Sequence, residues 1–133
     1  MILVDTGPFL GRWLRGDQHH HEAVAAWEAL RRTGGPCATT NFILDEVFTL
    51  LGRRAGYGFA AERARSVYGS RTFTILRPGE QEERAALELF EKYSDQKVSF
   101  TDCISFAFLR ARRMRRVFTF DAHFARAGFQ VWP

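Results

Sequence analysis

The 133-residue chain is poor in the features that mark secreted or membrane proteins. Its two cysteines, Cys37 and Cys103, are too few for a disulfide framework, so we expect a reducing, cytoplasmic environment. No apolar run is long enough to span a membrane. The first residues lack a basic segment followed by a long apolar one, so we also expect no signal peptide. No linker, repeat or low-complexity segment interrupts the chain, which predicts one domain over residues 1–133.

Lysine is scarce as well, because only two of the 19 basic residues are Lys and the others are Arg. The formal net charge of +4 is compatible with a polyanionic partner. Arginine suits such a partner because its guanidinium binds phosphate in a bidentate manner, although a high arginine content can also reflect genome composition. The densest basic run is predicted either to bind RNA phosphates or to form a solvated helix end, and it contains Arg112, Arg113, Arg115 and Arg116.

Short strand patterns and longer helix patterns alternate along the chain. Ile2–Val4 is apolar, too short for a helix and followed by turn residues, which predicts a buried strand, and Pro8 suits the first position of a following helix. Further strands are predicted at 37–39, 72–76, 117–120 and 129–132, and further helices at 22–32, 41–54, 59–68, 81–93, 101–113 and 122–128. Gly34, Gly35 and Pro36 are expected to end the helix at 22–32. This alternation predicts an α/β fold with a central parallel sheet of four or five short strands flanked by helices.

Helical spacing predicts which side chains face the core. The inward positions are Val24, Trp27 and Leu30 in the helix at 22–32, and Ala85, Leu89 and Phe90 in the helix at 81–93. The adjacent His19, His20 and His21 point about 100° apart and cannot converge on one ion, so we expect a solvated face. Four aromatic side chains are expected either to exceed what one small core buries and contribute to an interface, or to belong to the core: Phe9, Trp13, Phe59 and Tyr68.

Acidic side chains are predicted to meet at one edge of the sheet. Asp5 ends the first strand and Asp121 directly follows the strand at 117–120, and right-handed crossovers bring the C-terminal ends of parallel strands to one rim. Asp102 opens a helix. Glu46 lies on the flank of the apolar face of the helix at 41–54, whereas its neighbour Asp45 lies almost opposite that face. Each acid also has a simpler explanation, as a turn residue, a helix cap or a solvated side chain.

Considered together, these carboxylates predict a site for a divalent cation. Several unpaired carboxylates in one cleft raise one another's pKa, and Mg²⁺ or Mn²⁺, which takes oxygen ligands, relieves the repulsion. Such an ion can activate water and stabilise the leaving oxygen of a phosphodiester. An acidic pocket in an otherwise basic chain therefore predicts metal-dependent cleavage of nucleic acid.

Four segments carry a resemblance that covers essentially the whole chain: VDTGPFL at 4–10, NFILDEVFTLL at 41–51, SFTDCISFAFLRAR at 99–112 and FTFDAHF at 118–124. In these segments the chain resembles the PIN-domain ribonucleases, in particular the VapC-type toxins of toxin–antitoxin pairs. The resemblance implies a Mg²⁺- or Mn²⁺-dependent endoribonuclease whose acids are Asp5, Glu46, Asp102 and Asp121. It also implies supporting roles for Thr6 and Thr119 and a more distant one for Asp95.

The same resemblance implies partners. A homodimer is expected, together with a small antitoxin protein that covers or enters the acidic cleft. Such an inhibitor could supply an Arg, because guanidinium and carboxylate pair in a bidentate manner. RNA is the implied substrate.

Other functions are compatible with parts of the sequence. Asp5-Thr6-Gly7 matches the aspartic-protease signature, but that fold is almost entirely β. A haloacid-dehalogenase phosphatase would need a second Asp at the position of Gly7. A nuclease of ordinary RNA processing and a non-catalytic RNA-binding module of the same fold stay open, and metal-dependent RNA cleavage separates the enzyme from the binding module.

Overall fold

A computed structural model describes residues 1–33 and 35–133, which form five strands and seven helices. The strands are β1 (Ile2–Val4), β2 (Cys37–Thr40), β3 (Phe73–Leu76), β4 (Arg116–Phe118) and β5 (Gln130–Trp132). The helices are α1 (Thr6–Trp13), α2 (His20–Thr33), α3 (Asn41–Ala55), α4 (Tyr57–Gly69), α5 (Glu80–Lys92), α6 (Phe100–Ala111) and α7 (Ala122–Arg126). The predicted helix break at Gly34 falls outside the described residues. Among the described helices, none has the length and apolar character needed to cross a membrane.

All five strands form one parallel sheet in the order β3-β2-β1-β4-β5. The predicted α/β fold is therefore confirmed. β1 takes the central place because its three residues are all apolar and buried. β1 and β4 are hydrogen-bonded neighbours, so their C-terminal ends lie side by side at one rim.

The sheet separates two apolar layers because successive side chains of a strand point to opposite faces. Ile2 and Val4 join a cluster that includes residues of α1 to α4. Leu3, between them, joins a second cluster with residues of α5 and α6. Each face of the central strand is thus covered by helices, which is typical of parallel sheets.

The structure corrects the predicted inward faces of two helices. In α2, Trp27 and Leu30 are buried, but Val24 is 46% exposed and Ala23 is buried instead. The cause is close packing of α1 on α2, since a Cβ atom added to Gly11 would lie 2.8 Å from the Ala23 Cβ. Only a small side chain fits at that contact.

In α5, Leu89 is buried as predicted, whereas Ala85 and Phe90 are exposed. Ala86 takes the second buried position of this helix. α5 packs mainly against α6 and therefore needs only a narrow apolar stripe. Periodicity alone placed the centre of that stripe one residue away from its position in the structure.

The structure also settles the positions of Phe9 and of the histidine run. Phe9, for which an interface and the core were both open, is buried in the core, with its ring centroid 5.4 Å from that of Trp27. The histidine run was expected to be solvated, yet only His21 is exposed. His20 Nδ1 lies 2.7 Å from the Gly11 carbonyl oxygen, and the His19 ring stacks on Phe120 with a centroid distance of 4.3 Å.

A buried threonine fixes the start of α3. The Thr40 side chain accepts a hydrogen bond from the Ile43 backbone N–H at 3.0 Å, which satisfies one of the free donors at the helix N-terminus. α3 carries Glu46 toward the strand rim, so this cap also sets the position of an acidic side chain.

We expect Thr40→Ala to lower the free energy of unfolding by about 1–2 kcal/mol, because it leaves a buried N–H without a partner. Thr40→Ser should recover most of the loss. Thr49→Ala, at an exposed position of the same helix, serves as the control and should change stability by less than about 0.5 kcal/mol. Urea denaturation of the three variants measures these differences, and equal losses in Thr40→Ala and Thr49→Ala would contradict the role of the cap.

Candidate metal centre

Four acidic side chains from four separate elements line one pocket at the C-terminal rim of the sheet. Asp5 follows β1, Asp121 follows β4, Asp102 lies in the first turn of α6, and Glu46 projects from α3. The pocket has a volume of about 320 Å³. The sequence-based expectation that these four side chains meet is therefore realised in the geometry of the fold.

A buried hydroxyl joins two of these acids. The Thr119 hydroxyl donates to Asp5 Oδ2 at 2.7 Å, and Thr119 Oγ1 in turn accepts the Asp121 backbone N–H at 2.9 Å. β4 ends at Phe118, earlier than predicted, and Thr119 makes these two contacts just beyond the strand. Thr119 thus holds the ends of β1 and β4 in a fixed relation.

Helix caps orient two of the carboxylates. The Ser99 side chain accepts the Asp102 backbone N–H at 3.1 Å, which fixes the first turn of α6. Asp121 Oδ1 accepts the His123 backbone N–H at 2.9 Å and so caps α7. The simpler explanation of Asp121 as a helix cap is correct, and it places the same carboxyl group in the pocket.

Burial and mutual repulsion change the titration of two acids. Burial, with smaller contributions from the Asp121 and Glu46 charges, raises the pKa of Asp5 to about 6 despite the opposing hydrogen bond from Thr119. Burial and the neighbouring charges of Asp5, Asp121 and Glu46 raise the pKa of Asp102 to about 8. Without a cation, the cluster therefore resists full ionisation near neutral pH.

The predicted phase of α3 is confirmed. Glu46 is half-buried and lines the pocket, whereas Asp45 is exposed and Val47 is fully buried. A helix turns about 100° per residue, so neighbouring acids in one helix have different surroundings. Asp45 is therefore a matched control for Glu46.

Other predicted site residues lie outside the pocket. The Thr6 hydroxyl is buried and has no hydrogen-bond partner among the described residues, and Asp95 is exposed in the turn before α6. The arginine run follows the C-terminal end of α6, about 15 Å along the helix axis from Asp102. The members of that run are all exposed: Arg112, Arg113, Arg115 and Arg116. Their role in RNA binding stays a prediction.

Three pocket residues were not singled out from the sequence. Lys97 lines the pocket from the loop before α6 with a left-handed backbone (φ 55°), and Phe120 and His123 complete the wall. No sequence pattern marks Lys97, because the loop has no periodicity. His123 could have been found from its place two residues after Asp121.

The donor set suits a divalent metal ion. Carboxylate oxygens are the ligands that Mg²⁺ and Mn²⁺ prefer, and an ion beside Asp5 and Asp102 would favour their charged forms. A further donor is available, because the buried His123 Nδ1 has no hydrogen-bond partner among the described residues. Asp102, Asp121 and His123 each offer a ligand atom within 4.8 Å of the others.

We expect the metal-free protein to lose stability as the pH rises from about 4 to about 8. Asp102 has a raised pKa in the folded state, so the folded state binds more protons than the unfolded chain in this range, and the free energy of unfolding falls with pH. Asp102→Asn should remove much of this fall. Thermal melting in the presence of a chelator measures the effect, with Asp45→Asn as the control that keeps the wild-type slope. A wild-type slope in Asp102→Asn would contradict the assignment.

Comparison with known proteins gives consistent matches. The profile of the PIN domain family matches residues 2–130. The 23S rRNA-specific endonuclease VapC20 of Mycobacterium tuberculosis is 31% identical over 129 residues, which cover 97% of this chain and 95% of VapC20. A VapC ribonuclease of Archaeoglobus fulgidus is 30% identical over 126 residues, covering 92% of this chain and 78% of that protein.

Solved structures agree with these matches. The crystal structure of M. tuberculosis VapC20, described as a sarcin–ricin loop cleaving toxin, superposes with a TM-score of 0.87 and 30% identity and covers 100% of both chains. A toxin–antitoxin complex from Klebsiella pneumoniae gives a TM-score of 0.68 at 21% identity, covering 100% of this chain and 97% of that chain. The second match concerns the fold alone.

Proposed function

This chain belongs to the PIN-domain family, and we propose that it is a Mg²⁺- or Mn²⁺-dependent endoribonuclease of the VapC type that acts as the toxin of a toxin–antitoxin pair. The convergence of Asp5, Glu46, Asp102 and Asp121 in one pocket carries this proposal. The likeness to VapC20 over nearly the whole of both chains supports it. We propose that residues 1–133 work as one nuclease domain.

Each residue of the site has its own role in the proposed reaction. Asp5, Asp102 and Asp121, with Glu46 at the side, would hold the metal ion. When bound, such an ion activates water and stabilises the charge that develops on a phosphodiester. Thr119 fixes Asp5 and the Asp121 backbone relative to each other, and this rigidity keeps the carboxylates aligned during hydrolysis.

We propose RNA as the substrate, with 23S rRNA as the first RNA to test. VapC20 is named a 23S rRNA-specific endonuclease, and this chain matches it in sequence and in fold. If ribosomal RNA is the substrate, the protein acts in the cytoplasm. Mapping of cleavage sites on intact ribosomes and on bulk tRNA tests this choice, and cleavage confined to tRNA would contradict it.

Glu46→Gln should reduce RNA cleavage at saturating Mn²⁺ by at least about a hundredfold, because it removes one charge from the metal site. Asp45→Asn should leave cleavage within about twofold of the wild type, since Asp45 is exposed and lies outside the pocket. Single-turnover cleavage of a labelled RNA is the measurement. Equal activities of the two variants would contradict the role of Glu46, and RNA binding without any metal-dependent cleavage in the wild type would instead favour a non-catalytic RNA-binding module.

Lys97 supplies positive charge at the wall of the acidic pocket. We propose that it contacts the phosphate chain beside the cleavage site. The arginine run lies beyond the opposite end of α6 and would contact RNA only at a distance from the carboxylates. The two positions therefore predict different kinetic effects.

Lys97→Gln should lower kcat/KM for short RNAs, and it should reduce the salt dependence of single-stranded RNA binding by about 0.7 in the log–log slope. Arg113→Gln should weaken the binding of long RNAs and leave short ones unchanged. Cleavage and binding of oligonucleotides of increasing length separate the two effects. An unchanged salt slope in Lys97→Gln would exclude a phosphate contact at this position.

We propose an antitoxin partner that binds a groove between α1, α2 and α4. The groove has a volume of about 820 Å³ and combines aromatic side chains with three arginines, of which Arg31 is paired with Glu28 and the others are Arg12 and Arg63. Burial and the nearby Arg63 charge lower the pKa of Arg12, and the buried Arg63 Nε has no hydrogen-bond partner among the described residues. Neither arginine forms a salt bridge in the described part of the chain, so an acidic side chain of the antitoxin would complement the groove.

Arg63→Gln should weaken binding of the protein encoded next to this gene by about tenfold or more, as expected for a lost charged hydrogen bond. Arg65→Gln, at an exposed position of α4 outside the groove, should have no effect. Isothermal titration calorimetry compares the affinities. Identical affinities of the two variants would show that the antitoxin binds another surface.

We also propose a homodimer. Tyr68, for which an interface was one of the two expectations, is 54% exposed, and Leu87 and Phe90 form an exposed apolar pair on α5. Large apolar side chains that are exposed next to each other on one helix, as Leu87 and Phe90 are, often mark an interface. Light scattering at micromolar concentration measures the mass, and a monomer would contradict this part of the proposal.

A further inference from the structure

The imidazole of His123 faces the acidic cluster with a nitrogen that has no hydrogen-bond partner among the residues that the structure describes. Its Nδ1 is buried and lies 3.0 Å from Asp121 Oδ1 and 3.8 Å from Asp102 Oδ2. Neither approach has the geometry of a hydrogen bond. A buried nitrogen that points at two carboxylates without a hydrogen bond to either destabilises the folded state unless another group or an ion binds to it.

The spacing of these atoms fits a shared metal ion. In octahedral coordination at about 2.1 Å, neighbouring ligand atoms lie about 3.0 Å apart and opposite ones about 4.2 Å apart. The distance of 3.0 Å from His123 Nδ1 to Asp121 Oδ1 matches neighbouring ligands, and the distance of 3.8 Å to Asp102 Oδ2 lies close to that of opposite ligands. One ion can therefore contact the nitrogen and both carboxylates with little rearrangement.

The local fold holds the nitrogen in place. The backbone N–H of His123 donates to Asp121 Oδ1 at 2.9 Å, so one cap fixes both side chains at the start of α7. Phe124, the next residue, is fully buried and anchors this short helix to the core. The His123 side chain is 20% exposed, so most of the ring is shielded from solvent.

We infer that His123 is a nitrogen ligand of the metal centre, which makes the centre a mixed carboxylate–imidazole site that favours Mn²⁺ over Mg²⁺. This inference rests on the proposed function and adds a ligand and an ion preference to it. Mg²⁺ takes oxygen ligands almost exclusively, whereas imidazole binds first-row transition metals well. The nitrogen therefore contributes affinity for Mn²⁺ that it does not contribute for Mg²⁺.

His19 provides a matched control near the same site. Its ring stacks on Phe120, which lines the acidic pocket, but His19 itself does not line it. The nearest carboxylate to His19 Nδ1 is Glu22, at 3.8 Å on the surface of α2. Substitution of His19 thus removes a nearby imidazole without removing the proposed ligand.

Pulsed electron paramagnetic resonance of the Mn²⁺-loaded full chain tests the inference directly. The wild type and His19→Asn should show a nitrogen-14 coupling to Mn²⁺, and His123→Asn should lose it. Selective labelling of the wild type with nitrogen-15 histidine should replace the nitrogen-14 coupling by a nitrogen-15 coupling. This result does not depend on how any variant folds. In competition titrations, the ratio of Mn²⁺ to Mg²⁺ affinity should fall about tenfold in His123→Asn.

Two outcomes would overturn the inference while leaving the proposed function intact. The first is bound Mn²⁺ without nitrogen coupling in the wild type, and the second is an unchanged coupling in His123→Asn. Failure of the wild type to bind Mn²⁺ at all would overturn the proposed nuclease function together with this inference.

Discussion

The repulsion among carboxylates gathered at one rim of the sheet is the constraint on which the functional part of this fold depends. Asp5 and Asp102 are buried beside Asp121 and Glu46, and burial, together with the neighbouring negative charges, raises their pKa values. Burial makes the repulsion stronger, because a low-dielectric surrounding screens the charges less. A divalent cation relieves the repulsion, and the scaffold accordingly fixes the carboxylates before any ion binds.

The topology produces this arrangement with few residues. β1 and β4 are neighbours in the parallel sheet, although Asp5 and Thr119 are separated by 114 positions in the sequence. Their shared hydrogen bond joins the beginning of the chain to its last quarter. The caps at Ser99 and Asp121 then set the first turns of α6 and α7 against the same rim. These hydrogen bonds therefore stabilise the fold and also position the acidic side chains.

Much of the fold and the acidic set could be predicted from the sequence, because short apolar runs followed by acids mark strand ends in a parallel sheet. The phase of α3 was equally accessible, since its broad apolar face separates Glu46 from Asp45. The contribution of Lys97 could not be derived, because the conformation of its loop depends on tertiary packing, whereas the position of His123 two residues after Asp121 was accessible. Phe90 was misplaced, and the core position of Phe9 was left open, because helical periodicity does not specify which neighbour covers a given face.

The release of protons on metal binding tests the central claim most directly. If the cluster binds a divalent cation through Asp5 and Asp102, the ion must displace protons from these side chains, because their pKa values are about 6 and about 8. Calorimetric titration with Mn²⁺ at pH 7, repeated in buffers of different ionisation enthalpy, counts the protons released. The account predicts a net release approaching one proton per bound ion, and saturable Mn²⁺ binding with no proton release would contradict it.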